Sequence, residues 1–394
     1  MNWTIQQAAD AVLLETTSRA GGAPGVVAMA TDRKANFYEG CAGVRELGRD
    51  TPMTSDTVMG IFSCTKAITG TAVMQLVEEG RIRLDDAARK YIPEIADLQV
   101  LEGFDPDGQP RTRPPKRDIT VNDLMLHTSG LTYEFFSAEE LKFRAARKIP
   151  SVLSNTFASI RSVLLWDPGE RWGYGINLDW LGLVVERQRG RRLSEVFKER
   201  IFGPLGMADI AYSLSESMGA RRAVIHMRAR DGQLTPKPDL VSPQPSEMDM
   251  GGHGLYSTVG EYMKFIRMIL NDGAGRHGRV LKAETVAQMS ANGLGALKCS
   301  PWKSCMPWLC NDGDFFPGTS KSWAYTFMVN DEDAPTGRPA GSLMWAGLAN
   351  LFYWIDRKNG IGGFYATQVL PFLDVAAYPG FVEFESAVYR SLER

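Results

Sequence analysis

Met59-Gly60-Ile61-Phe62-Ser63-Cys64-Thr65-Lys66-Ala67-Ile68 is the stretch on which the reading of this chain turns. An apolar run ends there and a helical pattern begins. From Ser63 to Glu79 the residues suit a helix, with Ile68, Ala72 and Leu76 four apart on one face and Gly80 as C-cap. Ser63 then lies at or near the helix N-terminus. Lys66, three residues on, shares its face, so the amine can reach the hydroxyl. A serine hydroxyl is a weak nucleophile until a base takes its proton. A lysine amine is such a base once burial or a neighbouring cation lowers its pKa from ~10.4. The free N–H groups of the helix start are natural donors to the oxyanion of a tetrahedral intermediate. The spacing therefore points to acyl transfer. A second Ser-x-x-Lys, Ser300-Pro301-Trp302-Lys303, carries no such geometry, because Pro301 and Pro307 argue against a helix interior.

Upstream, Thr4 to about Arg19 reads as a helix, opened by a Thr4/Gln7 capping box and stopped by Gly21-Gly22. Val26–Ala30 and Asn36–Gly40 read as an antiparallel hairpin. Downstream, Gly103 to Lys116, with four prolines, reads as a surface excursion, and Thr120 to Leu126 as a short helix capped by Thr120 and Asp123. His127 follows it and reads as structural rather than as a base, since a base must first meet a geometric test. Residues 135–165 are helix-like. Pro168 and the glycines make a loop before a helix that starts near Asn177 or Asp179 and ends at Arg189 before Gly190. Tyr174 stands at that junction. Gly251-Gly252-His253-Gly254 is a tight turn before a helix that Ser257 or Thr258 caps and that runs to Leu270. It follows no Rossmann strand, which excludes a nucleotide reading. Trp302, Trp308, Phe315, Trp323 and Phe327 either fill a core or wall an apolar pocket. Residues 342–350 and 351–356 read as adjoining strands, Gly360–Gly363 as a turn, Phe364–Pro371 as another strand, and Phe381–Leu392 as a closing helix. Helices and strands in this order predict an α+β fold.

The 394 residues allow roughly two to three domains. Hydrophobic content of 44% and charged content of 23% suit a globular protein, and a net charge of −2 gives no basic surplus for nucleic acid. Arg187–Arg192 and Arg221-Arg222 read as solvated faces. Met1–Gln7 carries no basic residue and no apolar core follows, so no signal peptide is expected. No 18-residue apolar run suggests a membrane span. Five cysteines make no disulfide framework. A cytoplasmic protein is the expectation. Cys299, Cys305 and Cys310 lack zinc-site spacing and a nearby histidine and read as packing residues, so neither metal nor cofactor is expected.

The order of the motifs carries more than any one of them. Ser63-x-x-Lys66 is followed by Leu126-His127-Thr128-Ser129-Gly130-Leu131, Pro168-Gly169-Glu170 with Tyr174, Pro204-Leu205-Gly206-Met207, Gly252–Thr258 and Trp345-Ala346-Gly347. This resembles the serine β-lactamase-like superfamily over about residues 5–370, and within it the family VIII carboxylesterases and related acyltransferases near class C β-lactamases. The resemblance implies an antiparallel sheet flanked by helices (residues 1–80 and 250–394), a mainly helical domain (81–249), and a site between them. It implies Ser63 as the acylated nucleophile and Lys66 and Tyr174 as sharing the base and acid work. An ammonium beside Tyr174 would favour phenolate over the usual ~10. The N–H groups of Ser63 and Leu348 would form the oxyanion hole, Leu348 following Trp345-Ala346-Gly347 on an edge strand. Trp345, Gly347, Ile176 and Asn177 would contact substrate.

Two departures separate subfamilies. The class C Tyr-x-Asn triplet has Ile176 as its third residue here, with Asn177 one place late. Trp345-Ala346-Gly347 stands where β-lactamases carry Lys-Thr-Gly, replacing a cation with an apolar wall. Both favour neutral, apolar esters over β-lactams, and no Gly-x-Ser-x-Gly elbow indicates an α/β-hydrolase. The first expectation is a carboxylesterase acting on short to medium acyl esters. After it come an acyltransferase using the same acyl-enzyme, a β-lactamase or D-alanyl peptidase, and an acylated sensor.

Overall fold

The computed structural model describes residues 4–392; the amino-terminal stretch read for a targeting segment lies partly outside them. The chain begins with helix α1 (Ile5–Ser18), whose Thr4/Gln7 capping box forms as predicted, and the hairpin β1 (Gly25–Thr31) and β2 (Asn36–Gly43). Strand β3 (Val58–Gly60) leads through a 3₁₀ turn, Phe62–Cys64, into α2 (Thr65–Glu78). The hairpin β4 (Val100–Phe104) and β5 (Pro110–Arg113) follows, then α3 (Val121–Met125), α4 (Ala138–Arg147) and α5 (Phe157–Ile160). Next come α6 (Asn177–Arg189), α7 (Leu193–Phe197), α8 (Gly203–Leu205), β6 (Ile210–Ala211) and α9 (Glu216–Ala220). Strands β7 (Ile225–Arg228), β8 (Leu234–Lys237) and β9 (Tyr256–Thr258) precede α10 (Val259–Leu270) and α11 (Ala283–Ser290). The last part holds β10 (Lys321–Trp323), β11 (Met328–Asn330), β12 (Leu343–Gly347), β13 (Leu351–Asp356), β14 (Ile361–Ala366), β15 (Val369–Leu370) and α12 (Ala377–Leu392).

A seven-stranded antiparallel sheet, in the order β10-β11-β12-β13-β14-β1-β2, joins the two ends of the sequence. Alternation along β13 assigns its faces. Phe352 stacks on Phe381 of α12, and Trp354 lies against Phe381 and Phe384. Tyr353, pointing the other way, meets Tyr262 of α10 with ring centroids 5.2 Å apart. Every residue of β13 and β14 is buried, as expected of strands covered on both faces.

Several expectations are revised. Helix α2 is buried on all sides from Thr65 to Leu76 rather than on one face, because it lies in the middle of the molecule. Gly103–Lys116 is largely the β4–β5 hairpin. Residues 135–165 are broken by left-handed Lys148 and Asn155 and by Pro150. Gly362 and Gly363 lie in β14, where side chains would strike Ile266 and Trp354, rather than in a turn. Strand β6 pairs with β9, and β7 with both β8 and β15, so part of 81–249 joins sheets completed by later residues. Among the described residues, no helix is long and apolar enough to cross a membrane.

Candidate active site

Ser63 sits in the 3₁₀ turn ahead of α2, one residue after Phe62, whose φ of 45° is left-handed. A side chain in that region costs about 1–3 kcal/mol, so surrounding contacts must hold the turn. Two of them are visible. The Gln368 side-chain amide pairs with both backbone groups of Gly60, accepting from its N–H and donating to its carbonyl at 3.1 Å each. Gly347, at the end of β12, packs so close to the Ile61 carbonyl that an added Cβ would lie 2.5 Å from the oxygen. That contact brings Leu348 beside Ser63 on the wall of one cavity. Strand β12 is an inner strand, not the edge strand expected. Strand β11 pairs only with Leu343 and Met344, however, and so leaves Trp345–Gly347 unpaired on that side.

Lys66 is fully buried. Its Nζ donates to Ser63 Oγ (3.1 Å), the Tyr133 hydroxyl (2.8 Å) and the Gly252 carbonyl (2.8 Å). Burial pulls its pKa well below the usual lysine value, opposed by the charge of Asp179 and by Cys64. A lysine so placed can release its proton near neutral pH. Once that proton is gone, two N–H bonds remain for Tyr133 and the Gly252 carbonyl, and the lone pair faces the serine hydroxyl.

Tyr174 joins the same wall, but not as expected. Its hydroxyl accepts from Trp345 Nε1 at 2.9 Å, and the Lys66 ammonium lies over its ring, 4.8 Å from the centroid. Burial pushes its phenol above the ordinary tyrosine value, against contact with Ser63 and Trp345. Burial thus works against the expected phenolate, raising the phenol rather than lowering it.

Tyr133 is the residue that sequence reasoning missed. It sits 67 residues from Lys66 in sequence, on the coil after α3, and burial likewise holds its phenol up. The only signal was an aromatic cluster, Tyr133-Glu134-Phe135-Phe136, following a glycine turn.

Ile176 and Asn177 are not brought to the site. Both are fully buried and line neither cavity. The Asn177 amide donates to Leu131 O and lies 2.8 Å from His127 Nδ1, while its oxygen accepts from Ser129. His127 in turn accepts the Gly175 N–H on Nδ1 and the Gly173 N–H on its carbonyl. Burial, with the Lys66 charge, holds it neutral. His127 and Asn177 thus hold the loop that presents Tyr174 from behind.

Two cavities share a wall beside Ser63, which lines the first of them. The first, about 560 Å³, is walled by Tyr133, Phe135, Phe136, Tyr174, Trp302 and Trp345. The second, about 740 Å³, shares Phe62, Leu153, His253 and Leu348 with it and adds Asn155, Ser242 and Gln368. Its remaining wall includes Trp308 and Val241, which are 46% and 40% exposed. The aromatic stretch from 299 to 328 therefore divides: Trp302 and Trp308 wall cavities, while Phe315, Trp323 and Phe327 are core. The second Ser-x-x-Lys lies outside helices and strands, with Lys303 paired to Asp312. Among the described residues, no three His, Cys, Asp or Glu side chains gather as for a metal ion.

Comparison with known proteins adds a family. The Beta-lactamase family model matches residues 7–382. The chain is similar to monacolin J acid methylbutanoyltransferase of Aspergillus terreus, at 31% identity over 97% of this chain and 96% of the relative. It is similar to lovastatin esterase of Penicillium rubens, at 33% identity over 91% and 93%. A mutant simvastatin synthase from Aspergillus terreus superposes with a TM-score of 0.85 at 29% identity, covering 98% of this chain and 94% of that one.

Proposed function

This chain belongs to the beta-lactamase family, and from that premise we propose that it is a serine acyltransferase that moves a small apolar acyl group through an acyl-Ser63 intermediate onto a bulky alcohol. The observation that carries the reading is the 3.1 Å contact of the buried Lys66 amine with Ser63 Oγ on the wall of an apolar cavity. Lys66 takes the hydroxyl proton as Ser63 Oγ bonds to the acyl carbon. The backbone N–H groups of Ser63 and Leu348 receive the oxyanion. The leaving group departs with a proton supplied through Tyr174 or Lys66. An acceptor alcohol then repeats the steps in reverse, giving its proton to Lys66 and releasing Ser63. The aromatic cavity takes the acyl group. The second cavity, larger, partly polar and lipped by Trp308 and Val241, takes the acceptor.

Transfer stands ahead of hydrolysis here, reversing the order expected from sequence. A relative named as a methylbutanoyltransferase and the apolar walls around Ser63 both favour it. Hydrolysis is the second reading, favoured by the relative named as an esterase.

Both readings share one test: p-nitrophenyl butyrate turnover and intact protein mass for the wild type and Ser63→Ala. The wild type should carry a butyryl adduct and turn over, and Ser63→Ala should do neither, with kcat down by ~10³-fold or more. Substantial residual turnover would sink the acyl-Ser63 reading. Turnover that rises with a bulky added alcohol, with its butyrate ester as product, supports transfer; free butyrate alone supports hydrolysis.

A further inference from the structure

Behind Lys66 lies a buried carboxylate that the steps above do not use. Asp179, in the first turn of α6, is fully buried. Its Oδ1 accepts the Gly252 N–H at 2.7 Å, and its Oδ2 has no partner. The carbonyl of that same Gly252 is the one that Lys66 Nζ holds at 2.8 Å. One residue earlier, the Gly251 carbonyl accepts from Thr69 of α2 at 2.6 Å. The glycine turn is therefore a thin slab between two helices, one carrying the amine and the other the carboxylate. It has to be glycine: a Cβ on Gly252 would lie 2.7 Å from Asp179 Oδ2, and one on Gly251 would strike the Leu178 carbonyl.

We propose that Asp179 is the positioning residue for Lys66: it anchors the glycine slab whose carbonyl aims the amine, and as the buried counter-charge it sets the pH at which Lys66 gives up its proton. The proposal rests on the reading of Lys66 as the base for Ser63.

The other titratable groups around Lys66 leave Asp179 as its counter-charge. Cys64, on the turn before α2, is held protonated by burial. Tyr133 and Tyr174, from the loops after α3 and before α6, keep their protons for the same reason. Burial, together with the Lys66 charge, holds His127 neutral and draws His253 of the glycine turn down to about 3. Glu134, farther off, faces Arg144 at 3.6 Å. Asp179 itself is pushed up by burial and drawn back by Lys66 and the Gly252 N–H, as befits a carboxylate whose ionised form depends on that ammonium. Removing its charge leaves the ammonium without a counter-ion, so Lys66 should lose its proton at lower pH.

The test is the pH profile of kcat/KM for p-nitrophenyl butyrate in the wild type, Asp179→Asn and Asp179→Glu. Asparagine keeps an oxygen for the Gly252 N–H and removes the charge. Its acid limb should move down by about one pH unit, the order expected for losing one nearby opposite charge. Glutamate should return the limb toward the wild-type position even if its rate falls. An Asp179→Asn enzyme with reduced rate or Tm but an unmoved acid limb would overturn the proposal and leave Asp179 a packing residue. A second measurement needs no turnover. In Ser63→Ala protein bearing 13Cε-lysine and 13Cγ-aspartate, the Asp179 carboxyl signal should respond at the pH where Lys66 loses its proton, because the two charges interact. An Asp179 signal that ignores that step would overturn the proposal even if Asp179→Asn does not fold. Failure of the wild type to form an adduct at Ser63 would instead strike the proposed function, and the lysine titration would still decide the role of Asp179.

Discussion

At the scale of single residues, the site depends on how burial sets protons. Lys66 is the clearest case. Its amine is lowered by desolvation, so its neutral form is present far below the ~10.4 of a free lysine. Activity should rise with pH along an acid limb near neutrality rather than in the ordinary amine range, and a kcat/KM profile against pH checks this. Tyr133→Phe removes one of the three groups that hold the amine. A hydrogen bond to a charged group contributes about 1.5–3 kcal/mol, so kcat/KM should fall by about 10- to 100-fold. Comparison with Tyr174→Phe then separates a residue that orients the base from one that passes a proton. If Tyr133→Phe has no effect while Tyr174→Phe disables the enzyme, the contact to Lys66 is dispensable.

At the scale of elements, close approaches between backbones matter more than propensity. Gly347→Ala should push β12 away from Ile61 and spoil the alignment of Leu348 with Ser63, at a cost of at least about tenfold in kcat with KM less affected. Steady-state kinetics on a variant that still melts cooperatively would show it. Thr120→Ala should lose the capping box of α3 and about 1 kcal/mol of stability, read as a lower Tm, while leaving the ester rate near wild type. Features of this local kind were the most legible in the sequence. The caps at Thr4 and Thr120 and the end of α6 at Gly190 follow from spacing alone, while spacing leaves two candidates each for the cap of α10 and the start of α6, of which the structure takes Thr258 and Asn177. Ser63 with Lys66 was legible for the same reason, three residues being one turn. Tyr133 was not, because 67 residues and a loop separate it from the amine it touches. Asn177 was expected at the substrate only through the resemblance, one place after its Tyr-x-Asn position, whereas its partners here, His127 and Leu131, are about fifty residues away. The all-round burial of α2 was hidden because its sequence alone does not reveal how many elements will surround it.

At the scale of the whole molecule, two of the few large apolar side chains left exposed, Trp308 and Val241, border the same cavity beside the nucleophile. Scattered single exposures are ordinary; a pair at one rim marks a place where apolar surface is to be covered. Trp308→Ala should therefore raise KM for bulky apolar alcohols several-fold and leave hydrolysis of p-nitrophenyl acetate near wild type. An equal loss with both substrates would place Trp308 outside acceptor binding. The architecture has a further consequence in time. Ser63 comes from the first sixth of the chain, Tyr174 from the middle, and Leu348 from near the end, while β1 finds its second neighbour only in β14 at Ile361–Ala366. Long-range pairing of this kind forms late. While the protein is being synthesised, the serine emerges early but remains unarmed. On the proposed mechanism, Ser63 could not be acylated until nearly the whole polypeptide has left the ribosome.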